Sequence, residues 1–349
     1  MELSNLLEYE AAAKERMADD DWDYVSAGAQ DDTTLRRNES AFRDIQINPR
    51  FLVDVSERDL STTVLGHKIS FPIMTASSGP WYYAHPEAEV AVAKAAGRSD
   101  TIAMMPTNAG VYSFQETAQQ ATRPLMLQLY HYGDEITEHL VTTAKAAGCA
   151  AICLTVDIPI RKAIDKRLAR SRALVEELLG RGNLRDRPDL LQKVQDASNI
   201  YTLPWSRLEW LKSLADLPLI LKGIRTVDDA MKAVDHGVDG IIVSTHGGRY
   251  LDGSPGSIEV LPDIADAVGD QIEVYMDSGI RRGTDVLKAL ASGARAVFIG
   301  RPVYWGLAVD GEDGVYKVLE ILREEFDLAM AYCGITRVRD IDKRLLSWK

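Results

Sequence analysis

The sequence predicts an α/β fold, a single (β/α)₈ TIM barrel spanning residues 1–349, and two observations carry this prediction. From Phe71 onward the chain alternates eight short apolar runs with amphipathic segments. Unbroken apolar runs are typical of parallel strands that are buried on both faces. The length of 349 residues suits one barrel, which takes about 250 residues plus insertions. Eight strand–helix units favour a closed barrel over an open sheet.

The predicted strands end where polar residues or glycines follow the apolar runs. Amphipathic helices are expected between them, for example at 87–96, 135–147, 227–236 and 284–292. Several of these helices precede a glycine suited to a helix C-cap. In chain order the strands end at or near Ser77, Thr107, Tyr130, Asp157, Lys222, His246, Gly279 and Arg301.

Two segments lie outside this repeat. Residues 1–70 are predicted to form an N-terminal helical extension, and residues 160–204 a long lid insertion after the fourth strand. Connections of that length usually act as lids or binding loops. The start of the insertion, with Arg161 and Lys162, is basic, which is compatible with a solvated helix face or with a place near an anionic ligand.

Composition excludes several classes of partner. The net charge of −12 repels nucleic acid and anionic membranes, so neither is expected as a partner. No stretch reaches the roughly 18 apolar residues of a membrane helix, and the N-terminus is acidic without an apolar signal core. Three sparse cysteines fit a reducing compartment and predict no metal site. We therefore expect a cytoplasmic protein.

Polar side chains follow nearly every predicted strand, and in a (β/α)₈ barrel the carboxyl ends of the strands meet at the mouth that carries the chemistry. Buried polar groups without partners are costly, which argues against a purely structural explanation. The last two units, D-S-G-I-R-R-G and G-R-P, combine glycines that admit a ligand with arginines that bind phosphate oxygens. They predict a site for a phosphate-bearing cofactor. The alternative is an ion pair between Asp277 and Arg281 or Arg282.

Lys222 and His246 are the two most informative strand ends. A buried ammonium needs an electron-rich partner, such as the N1–C2=O edge of a flavin; the alternative is a Schiff-base lysine in a barrel isomerase or aldolase. His246 can accept a proton near neutral pH, and Arg249 can bind a carboxylate with two hydrogen bonds. Together they suit a 2-hydroxy acid, with Asp157 beside the imidazole. A histidine in such a position can also be purely structural.

The segment S-T-H-G-G-R-Y-L-D, residues 244–252, resembles the active-site signature S-N-H-G-x-R-Q-L-D of the FMN-dependent α-hydroxy-acid oxidase and dehydrogenase family, which includes glycolate oxidase, lactate oxidase and mandelate dehydrogenase. The resemblance covers essentially the whole chain and is strongest over 221–306. It implies FMN as cofactor, a 2-hydroxy acid as substrate, and a homo-oligomer, often a tetramer. It leaves the electron acceptor open among oxygen, a quinone and a carrier protein.

The resemblance also implies roles for individual residues. The catalytic residues would be His246 as base, Asp157 and Tyr130, and the substrate carboxylate would contact Tyr24, Arg249 and Lys162, or Arg161 by a shifted alignment. Asn108 and Trp81 would line the substrate pocket. The expected cofactor contacts are Ser77, Ser78, Gly79, Thr107, Gln128, Thr155, Lys222, Ser244, Asp277, Gly279, Arg281, Gly300 and Arg301.

Departures from the family pattern concern the pocket. Gly79 removes a methyl group next to the flavin N5, as in several dehydrogenases and monooxygenases of the family, which argues against fast reaction with oxygen. Pro106 and Asn108 replace a serine and a large ring, and Thr245 replaces the asparagine before the histidine. We therefore expect a 2-hydroxy acid larger than glycolate or lactate, or an aromatic one. The alternatives are an FMN-dependent oxidase or monooxygenase for another small molecule, and a non-catalytic flavin-binding barrel.

Overall fold

A closed barrel of eight parallel strands forms the centre of the computed structural model, which describes residues 3–107, 109–159, 182–196 and 203–348. All eight predicted strands are confirmed. They are β4 (Ile73–Thr75), β5 (Ala103–Pro106), β6 (Leu125–Leu129), β7 (Ala151–Thr155), β8 (Leu219–Ile224), β9 (Gly240–Val243), β10 (Glu273–Met276) and β11 (Ala296–Ile299). The strands follow one another around the barrel, and β11 pairs with β4 to close it.

Helices surround the barrel and cover its outer apolar face. The four named amphipathic segments are all helical, and Gly148, Gly237 and Gly293 follow three of them with the positive φ angles of a helix C-cap. The described helices outside the N-terminal extension are α4 (Ala88–Arg98), α5 (Phe114–Gln120), α6 (Asp134–Ala146), α7 (Pro188–Asp196), α8 (Leu208–Ala215), α9 (Val227–Asp235), α10 (Ser257–Val268), α11 (Gly283–Ala291) and α12 (Arg301–Tyr332), with short 3₁₀ helices at Trp81–Tyr83, Trp205–Arg207, His246–Gly248, Val338–Asp340 and Lys343–Leu345.

The longest of these helices, α12, is interrupted at Asp310 and Gly311, where the backbone leaves helical geometry. Gly306 and Gly314 approach each other so closely across this break that a methyl group on Gly314 would collide with the carbonyl of Gly306. Small residues are required here because the two halves of the helix pack backbone against backbone.

The N-terminal extension is helical only as far as Asp44. It contains α1 (Leu6–Arg16), α2 (Asp19–Ser26), α3 (Thr33–Ser40) and a 3₁₀ helix, Ala41–Asp44. Beyond them, β1 (Ile45–Ile47) pairs with the C-terminal β12 (Leu346–Trp348), and β2 (Thr62–Val64) forms a hairpin with β3 (His67–Ile69). The helical prediction for 45–70 is therefore wrong, because these residues meet partners distant in sequence or fold against each other.

The hairpin closes one end of the barrel. Val64 and Ile69 are fully buried and belong to the same apolar cluster as Met74, Met104 and Phe298 of the barrel strands. The polar residues at the carboxyl ends of the strands lie at the other end. Of the predicted lid insertion, the described part includes α7, whereas 160–181 and 197–202 lie outside the described residues. No described helix has the length and apolar character needed to cross a membrane.

Candidate active site

One cavity lies at the carboxyl ends of the barrel strands and encloses about 1260 Å³ of empty space, part of it open to solvent. Residues from the strand ends and from the N-terminal extension line it, which is where a (β/α)₈ barrel carries its chemistry. The predicted site residues in its lining are Tyr24, Ser77, Ser78, Gly79, Gln128, Tyr130, Lys222, His246, Arg249, Asp277, Gly279, Arg281, Gly300 and Arg301.

His246 lies beside Asp157, as the sequence predicts. The imidazole Nδ1 lies 3.1 Å from Asp157 Oδ1. Burial raises the pKa of Asp157, but His246, Lys222 and a backbone hydrogen bond together outweigh it, so this pKa is lowered and the carboxylate is ionised at neutral pH. An ionised carboxylate only accepts hydrogen bonds, so Nδ1 carries the proton and donates a hydrogen bond to Asp157. The neutral ring is left with an unprotonated Nε2.

Burial and the charge of Lys222 lower the pKa of His246, and Asp157 opposes them. The imidazole is therefore neutral at pH 7 and able to accept a proton. His246 also has a backbone φ of 55°, in the left-handed region that residues other than glycine seldom adopt. Its N–H donates to Ser244 Oγ at 3.0 Å, which helps to hold this strained conformation.

The approach of Asp157 to His246 depends on Gly223. Gly223 has a φ of 110° and sits where the pairing of β8 with β9 shifts register. A Cβ atom at this position would lie 2.6 Å from the Cβ and Cγ atoms of Asp157. This residue was not among the sequence-predicted site residues, although an isolated glycine inside a strand is a signal for a bulge or a close approach.

Lys222 is buried to 4% exposure and has two polar partners. Its ammonium lies 3.0 Å from Asp277 Oδ2 and donates to Ser244 Oγ at 2.8 Å. Burial lowers the pKa of Lys222, but Asp277 and Asp157 outweigh this effect and raise it. A Schiff-base lysine needs a depressed pKa, so the charge balance argues against that alternative. Asp277 pairs with Lys222, not with Arg281 or Arg282 as the alternative ion pair required.

Arg249 and Tyr24 meet on another wall of the cavity. The guanidinium carbon of Arg249 lies 4.5 Å from the centroid of the Tyr24 ring, and Arg249 Nη1 donates to the Tyr24 carbonyl at 2.6 Å. The Tyr24 hydroxyl donates to the carbonyl of Gly79 at 3.2 Å. This arrangement places a cation and a phenol side by side, as a carboxylate site requires.

Arg281 and Arg301 lie near the last two strands. Arg281 pairs with Glu39 at 2.9 Å, and its buried Nε has no hydrogen-bond partner among the described residues. Arg301 donates to the carbonyls of Val25, Ala27 and Gly247 at 2.9–3.0 Å. Burial, together with Arg249 and Arg281, lowers the pKa of Arg301 to about 9. Three mutually repelling cations around one cavity favour an anionic ligand.

Position 279 requires glycine for the packing of the N-terminal extension as well as for the expected access of a ligand. Its φ is 90°, and a Cβ atom there would lie 2.1 Å from the carbonyl oxygen of Asn38 on α3. From the sequence this residue was assigned to the cofactor alone. The structure shows that it also admits the N-terminal extension.

The remaining polar residues fit a flavin. Gln128 Nε2 donates to Thr155 Oγ1 at 3.0 Å, and Ser77 Oγ lies 3.4 Å from Gln128 Oε1. The hydroxyl of Thr107 is buried without a hydrogen-bond partner in the described part of the chain. The lining contributes the unpartnered guanidinium N–H of Arg281 and the buried ammonium of Lys222, and Thr107 follows the lining residue Pro106. Such groups match the phosphate and polar edge of FMN.

Not every predicted residue reaches this cavity. Trp81 is fully buried in the core and is not part of the described lining. Asn108, Lys162 and Arg161 lie outside the described residues. Asp157, Thr107, Thr155 and Ser244 are also not part of the described lining. Lining residues that were not predicted from the sequence include Val25, Tyr132, Gly247, Tyr250, Ser278 and Tyr304; most are apolar or aromatic, a character shared with the core.

Comparison with known proteins agrees with this geometry. The sequence profile described as FMN-dependent dehydrogenase matches residues 13–348. The chain belongs to this family. Among curated relatives, a peroxisomal (S)-2-hydroxyacid oxidase of Arabidopsis thaliana is 44% identical, with 98% of this chain and 96% of the relative aligned. An L-lactate oxidase of a Nostoc species is 42% identical over 98% and 97%.

Solved structures of this FMN-dependent dehydrogenase family match over the whole chain. A glycine-to-alanine mutant of an active chimera of (S)-mandelate dehydrogenase superposes with a TM-score of 0.94 at 30% identity, covering 100% of both chains. A mandelate oxidase superposes with a TM-score of 0.90 at 36% identity, covering 100% of this chain and 99% of the other. The expected family and fold are thereby confirmed.

Gly223→Ala should displace Asp157 from His246 and lower the free energy of unfolding by about 2–4 kcal/mol, because it combines backbone strain with a steric clash. Chemical denaturation measures the loss, and a crystal structure of the variant measures the Asp157–His246 distance. Gly253→Ala is the matched control, since Gly253 has a φ of 78° but nothing within 4 Å of the added methyl group. Equal destabilisation by both changes would show that only φ matters.

Proposed function

We propose that this protein binds FMN and oxidises a 2-hydroxy acid to the 2-oxo acid. The observation that carries the proposal is the neutral imidazole of His246, oriented by Asp157 and lining the same cavity as Arg249, Lys222 and Arg281. A base, a carboxylate-binding cation and a phosphate-binding cation in one cavity match the parts of an FMN-dependent hydroxy-acid enzyme. The curated relatives support the same reaction class.

Each site residue has a distinct role in the proposed reaction. Arg249 and Tyr24 hold the substrate carboxylate, and Tyr130 binds its hydroxyl. His246 takes up one proton at Nε2, and Asp157 stabilises the resulting imidazolium. FMN, when bound, would supply the acceptor for the two electrons and the second proton that the alcohol loses, so the 2-oxo acid is left and His246 holds the first proton. Lys222 keeps a positive charge at the cavity wall, where it stabilises developing negative charge.

The cofactor contacts follow the same pattern. Arg281 and Arg301, with the backbone of Gly279 and Gly300, would hold the phosphate. Asp277 would hold the ribityl chain. Lys222, Gln128 and the loop at Gly79 would contact the ring system, with Thr107, Thr155 and Ser244 supporting its polar edge.

We also propose a substrate larger than glycolate or lactate, or an aromatic one. Several tyrosines line the cavity around His246 and Arg249, including Tyr24, Tyr130, Tyr132 and Tyr250. Aromatic walls bury apolar surface and favour ring–ring contacts over contacts with a short aliphatic acid. Anaerobic bleaching of the flavin spectrum by a panel of 2-hydroxy acids tests this proposal. Readmission of air then distinguishes an oxidase from a dehydrogenase by the rate of recolouring.

His246→Ala should retain FMN and reduce the rate of flavin reduction by about 10²–10⁴-fold, because the proton acceptor is lost. The pH dependence of the unaltered enzyme should show the same base. The value of kcat/KM should fall with decreasing pH at a pH below 6.5, the ordinary histidine pKa, because the pKa of His246 is lowered and protonation removes the base. Asp157→Asn should move this fall in kcat/KM to lower pH, because the Asp157 carboxylate raises the pKa of His246 and its loss lowers that pKa further. Stopped-flow measurement of flavin reduction over a range of pH gives both the reduction rate of His246→Ala and the pH profiles. A normal reduction rate in His246→Ala would exclude His246 as the base.

Arg281→Ala should weaken FMN binding by about tenfold or more, because a charge-assisted hydrogen bond to phosphate is lost. Equilibrium dialysis or flavin fluorescence measures the dissociation constant. Arg282→Ala is the matched control: it removes the same charge one residue away, where the side chain pairs with Glu325 at 2.8 Å outside the cavity lining. Equal weakening in both variants would place the phosphate elsewhere or assign the effect to general electrostatics.

We propose in addition that the protein is a homo-oligomer. The residues Phe51, Leu52 and Val53, which are 77%, 106% and 44% exposed, form an apolar tip, and Tyr332 is 76% exposed on the neighbouring end of α12. Large exposed apolar patches mark association surfaces. Leu52→Asp should shift the protein toward monomer in light scattering after gel filtration, with Lys68→Asp on the exposed hairpin as control. A monomeric unaltered protein would refute the proposal.

A cytoplasmic location is the final proposal. Its support is that Cys149, Cys153 and Cys333 are all free and buried, which suits a reducing compartment. Fractionation of cells that express the protein at its natural level tests it.

A further inference from the structure

We propose that Tyr250 is the specificity-determining residue of this site, and that its ring contacts an aromatic substituent on the alcohol carbon of the substrate. The inference rests on the proposed oxidation of a 2-hydroxy acid and deepens it. Tyr250 occupies the position where the family signature has glutamine.

The first observation is the contact between Tyr250 and the proposed base. The two ring centroids lie 4.9 Å apart with an interplanar angle of 89°, an edge-to-face arrangement. Tyr250 belongs to the cavity lining and is 42% exposed. The ring thus contacts the imidazole and keeps part of its surface uncovered within the cavity lining.

The second observation concerns the direction of the substrate. Nδ1 of His246 is hydrogen-bonded to Asp157, so only Nε2 is available to accept the proton from the substrate. A substrate that gives this proton must place its alcohol carbon beside the imidazole. Because the ring of Tyr250 flanks the same imidazole, a group attached to that carbon comes within reach of Tyr250.

The third observation concerns the two ends of the substrate. Arg249 lies over the ring of Tyr24 and donates to backbone carbonyls of the N-terminal extension. The ring of Tyr250, the next residue, contacts His246. Two consecutive residues thus offer a cation for the carboxylate and an aromatic ring for the substituent.

The identity of the substituent follows from the chemistry of the wall. Tyr130 and Tyr132 form a second edge-to-face pair, with centroids 6.3 Å apart, in the same lining. A phenyl ring can meet these rings through edge-to-face or offset contacts, which a methyl group or hydrogen cannot do. Discrimination in such a pocket is about 10–200-fold.

The test compares mandelate, which carries a phenyl substituent, with lactate, which carries a methyl group. Anaerobic stopped-flow reduction of the FMN-loaded enzyme gives the ratio of their kcat/KM values. The unaltered enzyme should prefer mandelate. Tyr250→Gln should reduce this ratio by about tenfold, because the apolar contact is lost. Tyr250→Phe should keep the ratio within about twofold, because the ring remains.

A binding measurement separates recognition from catalysis. The dissociation constant of 2-phenylpropionate, which has no hydroxyl to oxidise, should rise about tenfold in Tyr250→Gln and remain unchanged in Tyr250→Phe. Tyr82→Gln is the matched control, since Tyr82 is similarly exposed at 46% and is not part of the described lining. It should leave both measurements unchanged.

The outcomes are distinguishable. Reduction of the flavin by neither acid in the unaltered enzyme, nor by any other 2-hydroxy acid, would refute the proposed function itself. Reduction by lactate in preference to mandelate would refute only the role of Tyr250. Equal effects of Tyr250→Gln on both acids, or a Tyr250→Phe variant that behaves like Tyr250→Gln, would also overturn that role.

Discussion

The buried ammonium of Lys222 is the interaction on which the rest of the site depends. It lies at the carboxyl end of β8 with 4% exposure, where an unpaired charge would be costly. Asp277 from the end of β10 and Ser244 from the end of β9 stabilise it, so three strand ends are fixed relative to one another. Ser244 in turn accepts the N–H of His246. Through Ser244, Lys222 therefore helps to fix the backbone conformation of His246, the proposed base.

The N-terminal extension completes the site from outside the barrel. Arg301 and Arg249 both donate to the carbonyl of Ala27, at 2.9 and 3.3 Å. The side chain of Asn38 accepts a hydrogen bond from Thr245 at 3.0 Å, next to His246. Thr245, which departs from the family pattern, thus has a partner on α3. The extension therefore helps to orient both arginines of the cavity lining through the backbone carbonyls of residues 24–27.

Local sequence was sufficient to predict the barrel and much of its mouth. Each strand is an apolar run, and each polar residue at its end is adjacent to that run in the chain, so periodicity and position placed Lys222, His246 and Asp277 correctly. The features that local sequence did not predict depend on contacts between residues distant in the chain. Gly223 matters because Asp157, from another strand, passes over it, and the 45–69 segment forms strands because β12 and the hairpin supply partners. Trp81 looked like a pocket residue by proximity, but its indole is turned into the core.

The arginines show why two anions suit one cavity. Burial and the charges of Arg249 and Arg281 lower the pKa of Arg301 to about 9, so the protein holds these cations close together against their mutual repulsion. An anion bound among them would stabilise their charged forms and raise that pKa again. Arg249 lies against Tyr24, whereas Arg281 lies 5.0 Å from the ring of Trp305 and pairs with Glu39. Arg249 and Arg281 therefore have different neighbours within one lining that also holds His246 and Lys222, which is compatible with the proposed binding of a substrate carboxylate by one arginine and a cofactor phosphate by the other.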